Sequence, residues 1–206
     1  MKWGSLFVAM LFPLAAQAGL DEDVGALQRQ WAEIKYRRPA REQETGFAEL
    51  AKAAEAVRDR HAQRAEAQIW YGIVVASYAG ARGGLGALSL AKEAKKAFQQ
   101  AIDLDAKALE GSAYTSLGSL YYQVPGWPIG FGNDDKAREL LNKALALNPD
   151  GIDANFFLGD FLYRKGDHEG ARRALAKALK APARAGRALA DEGRRREIEA
   201  LLAAMR

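Results

Sequence analysis

The chain has 206 residues, 49% hydrophobic and 27% charged, with a formal net charge of +4 and no cysteine. That composition suits one soluble helical domain with a sizeable core, and no Ser-rich or Pro-rich linker divides it. The missing cysteines exclude disulfides, thiol catalysis, cysteine-based metal sites and a lipid-bearing lipobox, while the modest charge excess, ten Lys/Arg against six Asp/Glu from Asp167 onward, does not favour nucleic acid as a partner.

The first 18 residues read as a secretory signal peptide: Lys2, an apolar run from Leu6 to Leu14, and the A-x-A triplet Ala16-Gln17-Ala18. Cleavage after Ala18 would leave Gly19 at the start of a mature periplasmic chain, 19–206, that is not a lipoprotein. The run falls short of the about 20 residues a bilayer span requires, so no membrane span is expected after removal; an uncleaved anchor is the alternative.

From Leu20 to Arg38, Val24, Leu27, Trp31 and Ile34 recur at helical intervals behind an acidic start, and Pro39 ends the run. A second helix from about Gln43 to His61 carries Phe47, Leu50, Ala54 and Val57. Together, 20–62 reads as a degenerate helical hairpin capping the N-terminus. Trp31 lies on an apolar stripe, which argues for a core residue over a ligand-stacking one. Ala65 to Tyr78 forms the next apolar helix, followed by a stretch holding Gly80, Gly83, Gly84 and Gly86. With no preceding strand and no G-x-x-x-x-G-K-[ST] frame, these glycines read as turn residues, a binding loop being the alternative.

Three second-helix segments then repeat: EAKKAFQQAIDLDA from Glu93, DKARELLNKALALNP from Asp135 and EGARRALAKALKAPA from Glu169. Their alanines align as Ala94, Ala137 and Ala171, then Ala101, Ala144 and Ala178, at intervals of 43 and 34 residues. Ahead of them Leu158-Gly159 matches Leu117-Gly118, with Tyr71-Gly72 a weaker third. Small residues at Gly118, Ala137, Ala144, Gly159, Ala171 and Ala178 would let two antiparallel helices approach closely, and Gly166-Asp167 supplies a helix stop followed by an N-cap. Between Gly118 and Ala137 the second unit holds seven more residues than its counterpart from Gly159 to Ala171. Its two prolines and three glycines forbid helix, while Trp127, Ile129 and Phe131 are too apolar for an idle surface loop. Beyond Ala183, Leu189, Ile198, Leu201 and Leu202 would cover the last unit, with Arg194, Arg195 and Arg196 as a solvated outer face.

The large-small pairs, turn residues and the 34-residue interval resemble the tetratricopeptide repeat (TPR) superfamily, strongly over 111–183 and more weakly over 67–106. The resemblance implies an all-α, right-handed α-solenoid of TPR-like helical hairpins, with repeats at about 65–106, 111–150 and 152–183 and a capping helix over 184–206. The two inserted stretches, YAGARGGLGALSLAKEA and YYQVPGWPIGFGNDDKA, also resemble the periplasmic TPR component, or T component, associated with tripartite ATP-independent (TRAP) transporters. Many relatives of that component are lipoproteins, from which this cysteine-free chain departs.

The resemblance implies a non-catalytic protein with no cofactor and no metal, binding a partner protein or a small hydrophobic or organic-acid ligand in a concave groove. A general interaction adaptor of the cell envelope is the alternative to a transporter-associated component, and a homo-oligomer is compatible with either. His61 and His168 stand alone, and no carboxylate pair sits in an apolar run as catalysis would require. TPR groove positions carried onto the chain are Ser112, Thr115, Ser119, Tyr122 and Gln123 in the second repeat, and Asp153, Phe156, Asp160, Tyr163 and Arg164 in the third. The ligand-binding candidates are Tyr122, Phe156, Asp160, Tyr163 and Arg164, together with Trp127 and Phe131 of the insert, which would either lid the groove or seal the neighbouring hairpin.

Overall fold

The computed structural model describes residues 12–205. Residues 1–11 of the expected leader lie outside the described residues, and the rest of that leader forms the first turns of helix α1. Among the described residues there are nine helices and no strand: α1 (Phe12–Arg37), α2 (Ala40–Arg60), α3 (Ala65–Arg82), α4 (Gly84–Asp105), α5 (Ala108–Gln123), α6 (Asp134–Leu147), α7 (Ile152–Arg164), α8 (His168–Leu179) and α9 (Ala188–Ala204). None is long and apolar enough to cross a membrane.

Local chemistry sets the ends. Pro39 separates α1 from α2, with Lys35 and Arg37 in the last turn of α1 facing the negative end of its dipole. Gly166 adopts φ of 81°, open to glycine at no steric cost, and the Asp167 carboxylate then accepts the Gly170 N–H at 2.8 Å to start α8. Asn133 does the same for α6, accepting from the Lys136 N–H at 2.8 Å.

The helices pair as α1–α2, α3–α4, α5–α6 and α7–α8, and the hairpins stack into an α-solenoid. First helices form an inner layer in which α1, α3, α5 and α7 each touch the next; second helices touch their own partner and the following first helix, but not one another. Each of the last three hairpins closes over a glycine. A Cβ on Gly118 would lie 3.0 Å from Leu141 Cγ, one on Gly159 2.6 Å from Leu175 Cγ, and one on Gly72 2.5 to 2.9 Å from the Phe98 ring. Opposite these crossings Ala94, Ala101, Ala137, Ala144, Ala171 and Ala178 are fully buried. Gly72 therefore plays the part that its weaker sequence match left open. Trp31 is core: it is 8% exposed, donates its indole N–H to Ser77 Oγ at 2.7 Å, and packs edge-on against Tyr36 and Trp70.

Three sequence expectations change, and one backbone feature is new. Helix α1 starts at Phe12, not Leu20, because the Ala-rich stretch before Leu20 favours helix and Pro13 falls in its first turn, where proline is tolerated. Helix α4 starts at Gly84, nine residues before Glu93, and Gly80 and Gly86 lie inside helices. Only Gly83 and Gly84, at φ of 64° and 60°, make the turn, so the extra residues there lengthen two helices and do not widen a loop. Leu109, Glu110 and Gly111 take positive φ values, so the regular part of α5 begins at Ser112, and Glu110 is held by the Asn148 side-chain amide at 2.6 Å. Finally, α9 is more than a cap on the last hairpin: besides α7 and α8 it contacts α1.

Candidate functional site

Helix α9 and the segment leading into it lie across the inner layer, tied down by arginines. Arg184 Nη1 meets Asp153 Oδ2 at 2.7 Å and Arg194 Nε meets Asp153 Oδ1 at 2.9 Å; Arg184 also binds Asp191, and Arg194 also binds Glu197 at 2.6 Å. Desolvation alone would raise the Asp153 carboxyl, but the charges of Arg194 and Arg184 override it and hold the group well below the usual carboxylate range. Aromatic faces take the rest: Arg194 stacks over Phe156 at 4.2 Å and Arg187 over Trp70 of α3 at 5.0 Å. At the far side Tyr36 of α1 donates its hydroxyl to Glu197 at 3.2 Å, and Gly193 fits against the Tyr36 ring, where no side chain would. The N-terminal hairpin and the C-terminal helix are thus joined across α3 and α7.

This changes the reading of the Arg194 to Arg196 run. Arg196 is exposed and Arg195 half-buried, donating to the Ala181 carbonyl at 2.9 Å, but Arg194 is buried. Phe156 and Asp153, expected to face an open groove, lie instead beneath this segment of the same chain.

What α9 leaves uncovered is a strip on α5 and α7 near the hairpin turns. There Tyr122 donates its hydroxyl to Asp160 Oδ2 at 2.7 Å, Arg164 Nε lies 3.1 Å from both oxygens of the same carboxylate, and the Gln123 amide reaches the Tyr122 hydroxyl at 3.3 Å. Burial, followed by the Asp160 charge, pushes the Tyr122 hydroxyl far up, so it stays protonated and keeps donating at any physiological pH. Asp160 is thereby spent on internal partners. Arg164 and Gln123 are exposed, and their remaining donors face solvent.

The other expected site residues scatter. Tyr163 packs against His168 at its own hairpin turn, ring centroids 5.4 Å apart. Phe131 stands edge-on to Tyr121 at 5.6 Å with Lys95 Nζ 4.7 Å above it, on the side of α5 turned away from Tyr122. Trp127 does neither of the things expected of it: at 89% exposed it neither lids the groove nor seals a hairpin. The insert is closed by its own backbone, so the ring has no need to fold back. Sequence reading missed Arg184, Arg187, Trp70 and Tyr36; the clue in the sequence was three arginines spaced along a segment following an aromatic-rich inner layer, a weak one.

A tetratricopeptide repeat family model matches residues 130–190, spanning α6, α7 and α8. No curated relative matches the sequence. Among solved structures, a thermophilic TPR protein of Thermus thermophilus superposes with a TM-score of 0.56 at 16% identity, over 92% of this chain and 95% of that one. MamA aligns with a TM-score of 0.46 at 22% identity, over 78% of this chain and 87% of that one, and Pseudomonas aeruginosa pilF with 0.38 at 16%, over 91% and 90%. Residues 130–190 therefore carry tetratricopeptide repeat sequence, and the chain as a whole has the α-solenoid fold of a TPR protein.

Proposed function

We propose that this is a non-catalytic adaptor that recognises a segment of a partner protein on the α5–α7 strip. TPR scaffolds in general serve protein interaction, and the observation that carries the reading is the strip itself: Tyr122 is locked by Asp160 while Arg164 and Gln123 keep free donors beside it. A planar guanidinium braced at Nε offers its outer fork to a partner carboxylate, and a side-chain amide can satisfy an extended backbone. Two surface clefts, of about 230 Å³ between α2, α3 and α4 and about 350 Å³ at the Asp59–Arg64 turn, lie away from this strip. An open polar strip supports an extended protein segment over a small enclosed ligand.

A photo-crosslinking residue in place of Gln123, in the cell that makes the protein, should give a discrete adduct with a second protein. The adduct should fall at least about tenfold with Arg164→Ala, the scale of one charge-assisted contact. A crosslinker at Glu139, on the exposed side of α6, should give none; equal adducts from both positions would remove the strip from recognition.

A narrower form of the proposal is an exported envelope component working with a TRAP transporter. It is supported by the 1–18 pattern and by the two stretches that resemble the T component. Mass spectrometry of the mature protein should then find Gly19 at the N-terminus, and a retained Met1 would contradict export with cleavage.

A further inference from the structure

The loop between α5 and α6 holds two large apolar side chains out in water. Trp127 is 89% exposed and Ile129 70%. The backbone beneath them is well braced: the Ile129 and Gly130 N–H groups both donate to the Gly126 carbonyl, at 3.1 and 3.0 Å, Gly132 donates to the Pro125 carbonyl at 2.9 Å, and Asn133 to the Tyr121 carbonyl at 2.8 Å. Gly130 and Gly132 lie so close to the Pro125 and Val124 carbonyls that no side chain fits at either. Phe131 anchors the base on Tyr121. A loop so tied cannot bury Trp127 by relaxing, and exposed apolar groups of this size mark a contact surface.

The surroundings indicate what it contacts. On α4, Leu88, Lys92 and Lys95 follow at steps of four and three, one stripe of the helix. Leu88 borders Gly130, and Lys95 stands over Phe131. Across the loop Lys136 Nζ is 5.7 Å from the Tyr121 ring. Among the described residues none of these three lysines forms a salt bridge. Of the neighbouring carboxylates, Asp134 is engaged by Lys165 and Glu139 by Lys143, although Glu139 also feels the charge of Lys136, and Asp135 remains exposed. Among the described residues, three lysines at the root of the loop therefore face Asp135 as the one carboxylate there outside a salt bridge.

We propose that this loop is a membrane-contacting tip, in which Trp127 and Ile129 enter the interfacial layer of an anionic bilayer while Lys92, Lys95 and Lys136 meet its headgroups. An indole, apolar in body with one N–H, suits the headgroup boundary. Lysines one layer behind an apolar tip match the charge of anionic lipid. Their compact, strongly hydrated charges lack the directional fork of arginine, which fits a fluid headgroup layer better than a shaped protein pocket.

Because the chain has no cysteine, Ile129→Cys can carry a single environment-sensitive NBD label. With the full chain and vesicles of roughly one-third phosphatidylglycerol in phosphatidylcholine, NBD emission should rise and shift to the blue; raising salt from about 0.1 to about 0.5 M should reverse it. A label at Gln63→Cys, exposed on the α2–α3 turn at the opposite edge of the stack, should stay aqueous. Adding Trp127→Ala should weaken vesicle binding reported by the label about tenfold, and Lys92→Glu with Lys95→Glu about thirtyfold or more. An unchanged label at position 129 with vesicles present overturns the proposal, including the case in which it responds only to an added protein partner. Equal binding to neutral vesicles, or no loss with Trp127→Ala, also overturns it.

Discussion

Replacing Gly159 by leucine should cost about 3 kcal/mol, at the upper end of what overpacking a close-packed site costs. Even a methyl group there would lie 2.6 Å from Leu175 Cγ and 3.4 Å from the Ala171 carbonyl, and Leu175 is fully buried with nowhere to retreat. The midpoint of urea unfolding should fall while its slope stays the same. Adding Leu175→Ala should recover more than half of the loss, because the new side chain then fills the volume vacated across the hairpin. An unchanged midpoint for Gly159→Leu would mean that α7 and α8 do not cross at this glycine.

Asp153→Asn should also destabilise, for a different reason. It keeps the shape but takes away the carboxylate shared by Arg184 and Arg194; Arg194 is buried, but Asp153 and Arg184 are about a third exposed, so the loss should be about 1 to 2 kcal/mol, below that of a fully buried pair. Arg184 retains Asp191 and Arg194 retains Glu197, which limits the loss further. The pH dependence follows from the sign of the shift. The folded-state pKa of Asp153 is depressed below its unfolded value near 3.8, so its contribution is fully present from about pH 5 upward and is lost progressively as pH falls below that toward the folded-state value. Stability of the parent should therefore decline in acid more steeply than that of Asp153→Asn, and parallel declines would show that the carboxylate gains nothing from its arginines.

Much of the fold was legible because a TPR hairpin is a local device. Gly118 and Gly159, with alanines at fixed distances beyond them, mark helix crossings by size alone, and Asp167 behind Gly166 marks a start behind a stop. The contact of α9 with α1 was not legible, because solenoid curvature sums small rotations between hairpins and no short pattern encodes the total. The arginine run misled for a geometric reason. Three consecutive residues on a helix point about 100° apart, so a run that reads as one charged face splits, and here Arg194 alone turns inward. Within the candidate site, Tyr122, Asp160 and Arg164 share a strip because they occupy adjacent inner-layer turns of α5 and α7. Phe131 and Trp127 could not be placed from sequence, since their positions depend on how the insert's backbone hydrogen bonds close.

Helix α9 bridges the first and last hairpins, and the proposed function places recognition on the strip it leaves open. A Cβ built on Gly193 lies 2.4 Å from Tyr36 Cγ, and Tyr36 Cβ is one bond of about 1.5 Å further on, so the two Cβ positions are within about 4 Å, the range a disulfide requires. Tyr36→Cys with Gly193→Cys, oxidised under native conditions in a chain carrying the crosslinker at position 123, locks that bridge. Complete disulfide formation and an undiminished partner adduct from position 123 are expected; loss of the adduct on locking, restored by reductant, would show instead that the partner binds where α9 lies.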